Sequence, residues 1–299
     1  MLESYLFVYL LFAVIQLLVG VLANGIIVVV NGTGLIKQRK MIPLDLLLSC
    51  LAISRICLQL GIFCINLNVL SLTEFTIFPD NFAIFTFVNE LGLWFAAWLS
   101  VFYCAKIACI AHPLFFWLKM RIAKLVPWLI FGSLLYASII SVLHSKHTRI
   151  LFQKIWLDLF SNNATAQIRE LSVLQRSFLV IEFSLPFLIF LFSTLLLIFF
   201  LGRHTWQMRN TVTGTRNASM RIHISALLSI LSFLVFYLAY YVMPALFFSQ
   251  IFKLRNPIFL FCLFVVGSYP GGHSVILILG NPKLKQNVKK TLLHSKCCQ

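Results

Sequence analysis

Runs of apolar residues long enough to cross a bilayer occupy most of this 299-residue chain. A transmembrane helix needs about 20 predominantly apolar residues, and the first run, within Ser4–Ile36, contains no charged residue. A chain in lipid must satisfy its own backbone hydrogen bonds, so these runs predict α-helices. We predict seven spans at approximately 6–30, 43–70, 82–111, 125–143, 178–201, 224–250 and 257–280.

Composition excludes a soluble fold, because 61% of the residues are hydrophobic and only 11% are charged, against about 25% charged in a typical soluble domain. The predicted fold class is therefore all-α, with residues 1–299 forming a single seven-transmembrane helix bundle. A net charge of +16 does not indicate nucleic-acid binding, since the basic residues lie in loops between apolar runs, where membrane topology explains them.

The distribution of basic residues predicts the orientation of the bundle. Fifteen lysines and arginines lie in one set of loops and the tail, and seven lie in the other set. Cytoplasmic loops are enriched in these residues, so the richer side is predicted to be inside and the N-terminus outside. The first run lacks a basic flank and is too long for a signal peptide, so we expect it to be retained.

The C-terminal segment NPKLKQNVKKTLLHSKCCQ predicts a short amphipathic helix on the cytoplasmic leaflet. Leu284, Val288 and Leu292 share one face, and lysines cover the others, where they would meet anionic membrane lipids. The alternative is a disordered basic stub. Cys297 and Cys298 are candidates for palmitoylation.

Three glycosylation sequons give a test of topology. Asn163 lies in the long external loop and is the predicted glycosylation site. Asn31 and Asn217 fall on the predicted cytoplasmic side and should stay unmodified.

A charged residue, Arg55, lies in the middle of the second span. It follows Pro43 by about 12 residues, which places it roughly 18 Å along a helix. A charge at that depth needs a partner inside the protein. We nominate Asn24 of the first span and either backbone or Ser274 of the seventh; a structural clamp and a conformational switch both remain open.

Lys106 is a second intramembrane cation, on the inner part of the third span. It precedes His112 by about six residues, or roughly 9 Å. Its amine can snorkel from that depth to the cytoplasmic interface. The alternative is a switch that exchanges partners when the helices move.

Polar residues in the outer halves of the spans indicate an outward-open, mainly apolar pocket with a few polar anchors. The alternative is that the acids lie at helix ends and only contact water. The candidates from this pattern are Asn66, Asn89, Glu90, Glu182 and Tyr240.

Motifs for catalysis, nucleotide binding and metal binding are absent from the sequence, so we expect neither an enzyme nor a cofactor. His273 is the only histidine of the seventh span. A transporter or channel is the rival class, but it would need broken helices in repeated halves or more intramembrane charge.

Six motifs resemble the type 2 bitter taste receptor family of G-protein-coupled receptors. The third-span run LSVFYCAKIACIAHPLFFWLK resembles that family's pattern FYxxKIAxxxHPxFxWLK. The others are NGIIVVVN (24–31), LLLSCLAISR (46–55), SLPF (184–187), HTWQM (204–208) and HSVILILGNPKLKQ (273–286). The resemblance covers the chain from first span to tail and argues against a vomeronasal type 1 receptor.

The resemblance implies a plasma-membrane receptor for small bitter agonists that activates a gustducin-type heterotrimeric G protein, then phospholipase C and calcium release. It implies a pocket among the outer halves of the second, third, fifth, sixth and seventh spans, where Asn89, Tyr240 and Leu263 match pocket positions. Leu263 stands where some members have a charge, so their agonist profiles do not transfer. A homo- or hetero-oligomer remains open.

The resemblance also implies which residues serve activation and coupling, in place of the acid–arginine–tyrosine motif of rhodopsin-like receptors. Phe102, Tyr103 and Lys106 match the third-span motif that carries this role in the family. The remaining candidates lie in the other matched motifs: Asn24, Arg55, His204, His273 and Ser274.

Overall fold

A computed structural model gives the fold. The structure describes residues 2–38, 42–70, 79–107, 113–160, 173–209, 231–232, 234–240, 242, 257–281 and 284–287. All the regular structure in these ranges is helical. The helices are α1 (Leu2–Gln38), α2 (Pro43–Val69), α3 (Pro79–Ile107), α4 (Pro113–Phe160), α5 (Val173–Arg209), α6 (described at 231–232, 234–240 and 242) and α7 (Pro257–Gly280).

Six helices in the described ranges are long and apolar enough to cross a membrane. Their apolar segments are Leu6–Gly34, Pro43–Val69, Ala83–Ile107, Phe115–Leu143, Ser184–Arg203 and Pro257–Gly280. A helical membrane bundle is therefore confirmed. Most of the remaining predicted span, 224–250, lies outside the described residues.

Proline marks the first residue of four helices, α2, α3, α4 and α7. The first turn of a helix has no intrahelical use for its N–H groups, and the fixed φ of proline suits that position. At α2 the preceding Ile42 has extended backbone, with φ −70° and ψ 134°. The residue before a proline is pushed toward that conformation, so the chain enters the helix at Pro43.

The third helix lies at the centre of the bundle. α3 packs against α2, α4 and α5, whereas α1 packs against α2 and α7. In α3, 67% of the most apolar 18-residue stretch is buried inside the protein, whereas the corresponding share in α1 is 17%. α3 is therefore the central helix of the described part of the bundle.

Helices α1 and α7 approach each other closely where both carry glycine. A Cβ built on Gly271 would lie 3.1 Å from the Cα of Gly20, and one on Gly267 would lie 2.7 Å from Gln16 Oε1. Small residues let helix backbones meet in lipid, where packing and hydrogen bonds hold helices together. Gln16 Nε2 uses this proximity to donate to the Phe264 carbonyl at 2.8 Å and to Ser268 Oγ at 2.7 Å.

The fourth helix differs from the prediction at both ends. Its apolar segment begins at Phe115 rather than 125, and three cations expected in a loop, Lys119, Arg121 and Lys124, lie in its first turns. At the other end the helix continues past 143 to Phe160. The charged side chains break the apolar run without breaking the helix, because lysine and arginine are good helix formers.

The tail begins with a helical turn at 284–287 directly after α7. Leu284 is 1% exposed and packs in the main core, whereas Lys285 and Gln286 are exposed. Asn281 stabilises the turn, accepting hydrogen bonds from Lys285 N at its carbonyl and from Leu284 N at Oδ1. This is the start expected of the amphipathic tail helix; Val288, Leu292, Cys297 and Cys298 lie outside the described residues.

Candidate functional site

A buried polar cluster joins α1, α2 and α7 around Arg55. Arg55 is 1% exposed. Its Nη1 donates to Ser274 Oγ at 3.3 Å and its Nη2 donates to Tyr269 Oη at 3.4 Å. The guanidinium carbon also lies 5.3 Å from the centroid of the Tyr269 ring, which is within the range of a cation–π interaction. The predicted contact with Ser274 is therefore present.

Asn24 joins the cluster through Ser274. The Ser274 hydroxyl lies 2.6 Å from Asn24 Oδ1 and 2.8 Å from the Pro270 carbonyl, either of which can accept its single proton. The Asn24 amide donates to the Gly20 carbonyl at 2.8 Å and to Pro270 at 3.4 Å. His273, next to Ser274, is also buried. Burial of a charge is tolerated when hydrogen bonds replace its water, and this cluster supplies them.

Next to the cluster, aromatic rings connect α5, α6 and α7. The ring of Tyr240 lies 4.8 Å from that of Tyr269, and the ring of Tyr237 lies 6.2 Å from it edge-on. Tyr237 also stacks on Phe190 at 4.3 Å and on Phe187 at 5.7 Å. Aromatic pairs at these separations attract one another beyond simple burial, so movement of α6 would be felt by both neighbours.

The third helix joins this assembly through Asn89. The Tyr240 hydroxyl donates to Asn89 Oδ1, and both residues are buried. Glu90, the next residue along α3, is fully buried. Two of the predicted ligand residues, Asn89 and Tyr240, thus meet between α3 and α6, and Glu90 directly follows Asn89 in α3.

The other predicted ligand residues lie elsewhere. Asn66 is buried and accepts a hydrogen bond from Tyr9 at 2.8 Å. Leu263 is half-buried against a small hydrophobic cluster formed by Tyr9, Val69, Leu70, Phe259 and Leu260. Asn66 and Leu263 therefore lie near the same cluster, at the N-terminal parts of α1 and α7 and the C-terminal end of α2. Glu182 belongs to α5, but its side chain lies outside the described residues.

Three candidate coupling residues, Phe102, Tyr103 and Lys106, lie near the C-terminal end of α3. Phe102 is buried in the core and Tyr103 is half-buried, with their rings 6.4 Å apart. Lys106 is exposed in the last described turn of α3, an environment that allows its amine to reach the membrane interface. His204 lies in α5, and nothing is described of its side chain; His112 and Asn163 fall outside the described residues.

Several polar residues of this site were missed by sequence reasoning. Gln59 Nε2 donates to the Gly267 carbonyl at 3.2 Å, and Gln16, Tyr9 and Tyr269 all bond across helices. Uncharged polar residues in lipid-spanning runs were the available signal, because such side chains gain from bonding to a neighbouring helix. The sequence analysis considered partners for charged side chains and polar residues in the outer halves of the spans, and it therefore named Asn24, Ser274 and Asn66 but not these four.

These features define a helical, multi-pass membrane protein with a buried polar network. A family model described as Taste receptor protein (TAS2R) matches residues 1–296. Taste receptor type 2 member 1 of Pan paniscus is 60% identical over 299 residues, which is 100% of both chains. Taste receptor type 2 member 119 of Rattus norvegicus is 51% identical and is aligned over 100% of this chain and 88% of the relative.

A more distant relative extends the similarity to birds. Taste receptor type 2 member 40 of Gallus gallus is 32% identical over 97% of this chain and 95% of its own. The chain therefore belongs to the type 2 taste receptor family. It is a G-protein-coupled bitter taste receptor of the plasma membrane and not an enzyme.

Proposed function

We propose that this chain is a seven-span receptor with its N-terminus outside, which binds small bitter compounds between the outer halves of its helices. Agonist binding activates a gustducin-type G protein, and phospholipase C and calcium release follow. One observation carries the proposal: the contacts that run from Asn89 through Tyr240 and Tyr269 to Arg55 and Ser274. They connect α3, α6, α7 and α2 in one path.

The ligand end of this path is the group formed by Asn89, Glu90 and Tyr240. An agonist that hydrogen-bonds Asn89 competes with the Tyr240 hydroxyl for the same amide oxygen. Release of Tyr240 would free its ring to move against Tyr269, 4.8 Å away. An agonist shifts the receptor toward its active state only by binding that state more tightly, and the exchange of this one hydrogen bond supplies such a difference. Asn66, Leu263 and Glu182 would complete the pocket toward the outside.

The output end is the cytoplasmic part of α3. Movement of α7 against Arg55 would be passed through α2, which packs directly on α3. Phe102 and Tyr103 lie on the last turns of α3, and Lys106 is exposed where the G protein would dock. His204 near the end of α5 is assigned to the same surface.

Calcium mobilisation in cells that express this chain with a gustducin-like G protein tests the proposal. A panel of bitter compounds should give a dose-dependent signal for the wild type. Glu90→Gln should change the rank order of agonists while it reaches the surface normally. Asp45→Asn removes a carboxylate from the first turn of α2, at the end of that helix opposite to Asn66, and should preserve the order.

Three results would contradict parts of this proposal. An unchanged agonist order in Glu90→Gln would remove Glu90 from the pocket. Lys106→Ala that reaches the surface and signals like the wild type would show that Lys106 only snorkels, whereas silent or constant signalling would support its role as a switch. Ligand-gated currents that persist without G protein would favour a channel.

A further inference from the structure

The first turns of α4 carry an exposed stripe of aromatic and basic side chains. Trp117, Arg121, Lys124 and Trp128 follow one another at intervals of four, three and four residues, which places them on one side of a helix. All four are exposed, Trp117 by 49% and Trp128 by 72%. Ile122, Val126 and Ile130, on the opposite side of α4, are buried in the core. We call this stripe the α4 basic–aromatic face.

An aromatic ring holds one cation of this face, Arg121, in place. The Arg121 guanidinium carbon lies 5.6 Å from the centroid of the Trp117 ring, within cation–π range. Stacking on a ring leaves the edge of a guanidinium free to donate hydrogen bonds. Lys124, one turn further along the helix, presents a second charge on the same side.

The face lies where the membrane surface would cross the helix. The apolar segment of α4 begins at Phe115, so Trp117 to Trp128 cover roughly the first 17 Å of it. Tryptophan prefers the membrane–water interface, and basic side chains there extend toward the headgroups. The sequence contains no acidic residue between Glu90 and Asp158, so the positive charge of this stretch is not balanced within it.

We propose that the α4 basic–aromatic face binds the headgroup of an anionic phospholipid of the cytoplasmic leaflet. The lipid phosphate lies between Arg121 and Lys124, and the acyl chains run along Trp128 and the exposed Phe131. The positive charge of Arg121 and Lys124 complements an anionic headgroup. Trp128 and Phe131 would lie at the depth of the acyl chains, which favours a lipid over a protein as the ligand. The leaflet assignment rests on the orientation proposed above, whereas the binding itself does not.

Lipid titration of the purified full-length chain tests this site. The receptor in neutral detergent micelles is titrated with phosphatidylserine, and in parallel with phosphatidylcholine, and bound lipids are counted by native mass spectrometry. Arg121→Gln/Lys124→Gln should lower phosphatidylserine binding about tenfold, since each basic residue near a membrane surface contributes appreciably to attraction of anionic lipid. Phosphatidylcholine binding should not change.

Two further variants distinguish binding at a specific site from nonspecific attraction of anionic lipid by positive charge. Arg203→Gln removes an exposed cation from the corresponding end of α5 and should bind phosphatidylserine as the wild type does. Arg121→Lys keeps the charge but loses the planar stack on Trp117, and should give an intermediate loss. Equal losses in Arg203→Gln and Arg121→Gln/Lys124→Gln, or wild-type binding by the double variant, would overturn the proposal.

The readout contains neither agonist nor G protein, so it is independent of signalling. Failure of the calcium assay would leave the lipid result standing, and failure of lipid binding would leave the receptor proposal intact. Melting temperatures of all variants, measured in the same micelles, confirm that the compared chains are folded.

Discussion

At the scale of single residues, Arg55 is the most constrained side chain described. A charge at mid-membrane depth is costly, and its presence requires compensation from neighbours. The guanidinium reaches Ser274 and Tyr269 from two different nitrogens and also lies over the Tyr269 ring. A lysine ammonium is a compact point charge on a flexible stem and does not reproduce a planar fork with a stacked ring.

Replacement of this arginine by lysine is therefore expected to destabilise the receptor. Arg55→Lys should lower the free energy of unfolding by about 1–3 kcal/mol, because the buried charge keeps fewer hydrogen bonds. The apparent melting temperature of the purified receptor measures the effect. Arg203→Lys, at an exposed position, is the matched control and should change stability by less than about 0.5 kcal/mol.

The same pair of variants bears on the two roles left open for Arg55. Loss of stability with unchanged basal signalling indicates a clamp, and raised basal signalling indicates a switch. Equal melting temperatures for the Arg55 and Arg203 variants, together with unchanged basal signalling, would contradict both roles.

At the scale of helices, the close contact between α1 and α7 depends on glycine residues, which have no side chain. Gly271→Ala adds a Cβ that would lie 3.1 Å from the Cα of Gly20, and backbone cannot yield as a flexible side chain can. The variant should lose about 1–3 kcal/mol of stability and reach the cell surface in smaller amounts. A lower melting temperature in micelles and weaker surface staining would record this.

Gly25 is the matched control for that substitution. It lies on α1, and no atom is within 4 Å of the position its Cβ would take. Gly25→Ala should be neutral or slightly stabilising, because alanine is the better helix former. A loss at Gly25 as large as that at Gly271 would show that close approach of the two helices is not the cause.

The bounds of α2 and α7, two of the helices that begin with proline, were predictable from sequence. The predicted seventh span, 257–280, coincides with α7, and the second differs from α2 only at its last residue. The start of α4 was not predictable from hydropathy, because Lys119, Arg121 and Lys124 interrupt the apolar run that marks a span. When charged residues lie in the turns of a helix near the membrane surface, the helix begins before the uncharged run that marks a span in the sequence.

The candidate site was predictable only in part, for a physical reason. A buried charge must have a partner, so Arg55 could be assigned to Ser274 although 219 positions separate them in the sequence. Tyr269 could not be assigned in this way, since a tyrosine hydroxyl can bond to many different partners and the one it meets depends on how α6 and α7 are rotated. The same holds for the pairing of Tyr240 with Asn89.

At the scale of the whole molecule, orientation in the membrane decides which surface meets the agonist. Asn163→Gln should abolish the mass shift that a glycosidase causes in receptor from mammalian cells, if the long loop is outside as proposed. Asn217→Gln, on the predicted inner side, is the control and should leave the shift intact. The reverse result on an electrophoresis gel would show that the bundle has the opposite orientation in the membrane.

Asn31, the remaining sequon asparagine, is unsuitable for that comparison. It is 1% exposed within α1, and its amide donates to the Asp45 carbonyl of α2 at 3.4 Å. Its substitution would disturb the packing of two helices, and any change in glycosylation would then reflect misfolding.

The contact between α1 and α7 has a consequence for how the chain is made. Gln16 of the first helix donates to Phe264 and Ser268 of the last, and these residues leave the ribosome about 250 residues apart. Until α7 is inserted, α1 holds an amide in lipid without these acceptors. Biogenesis is therefore completed only by the final span, and a chain that stops before Pro257 would expose that amide to cellular quality control.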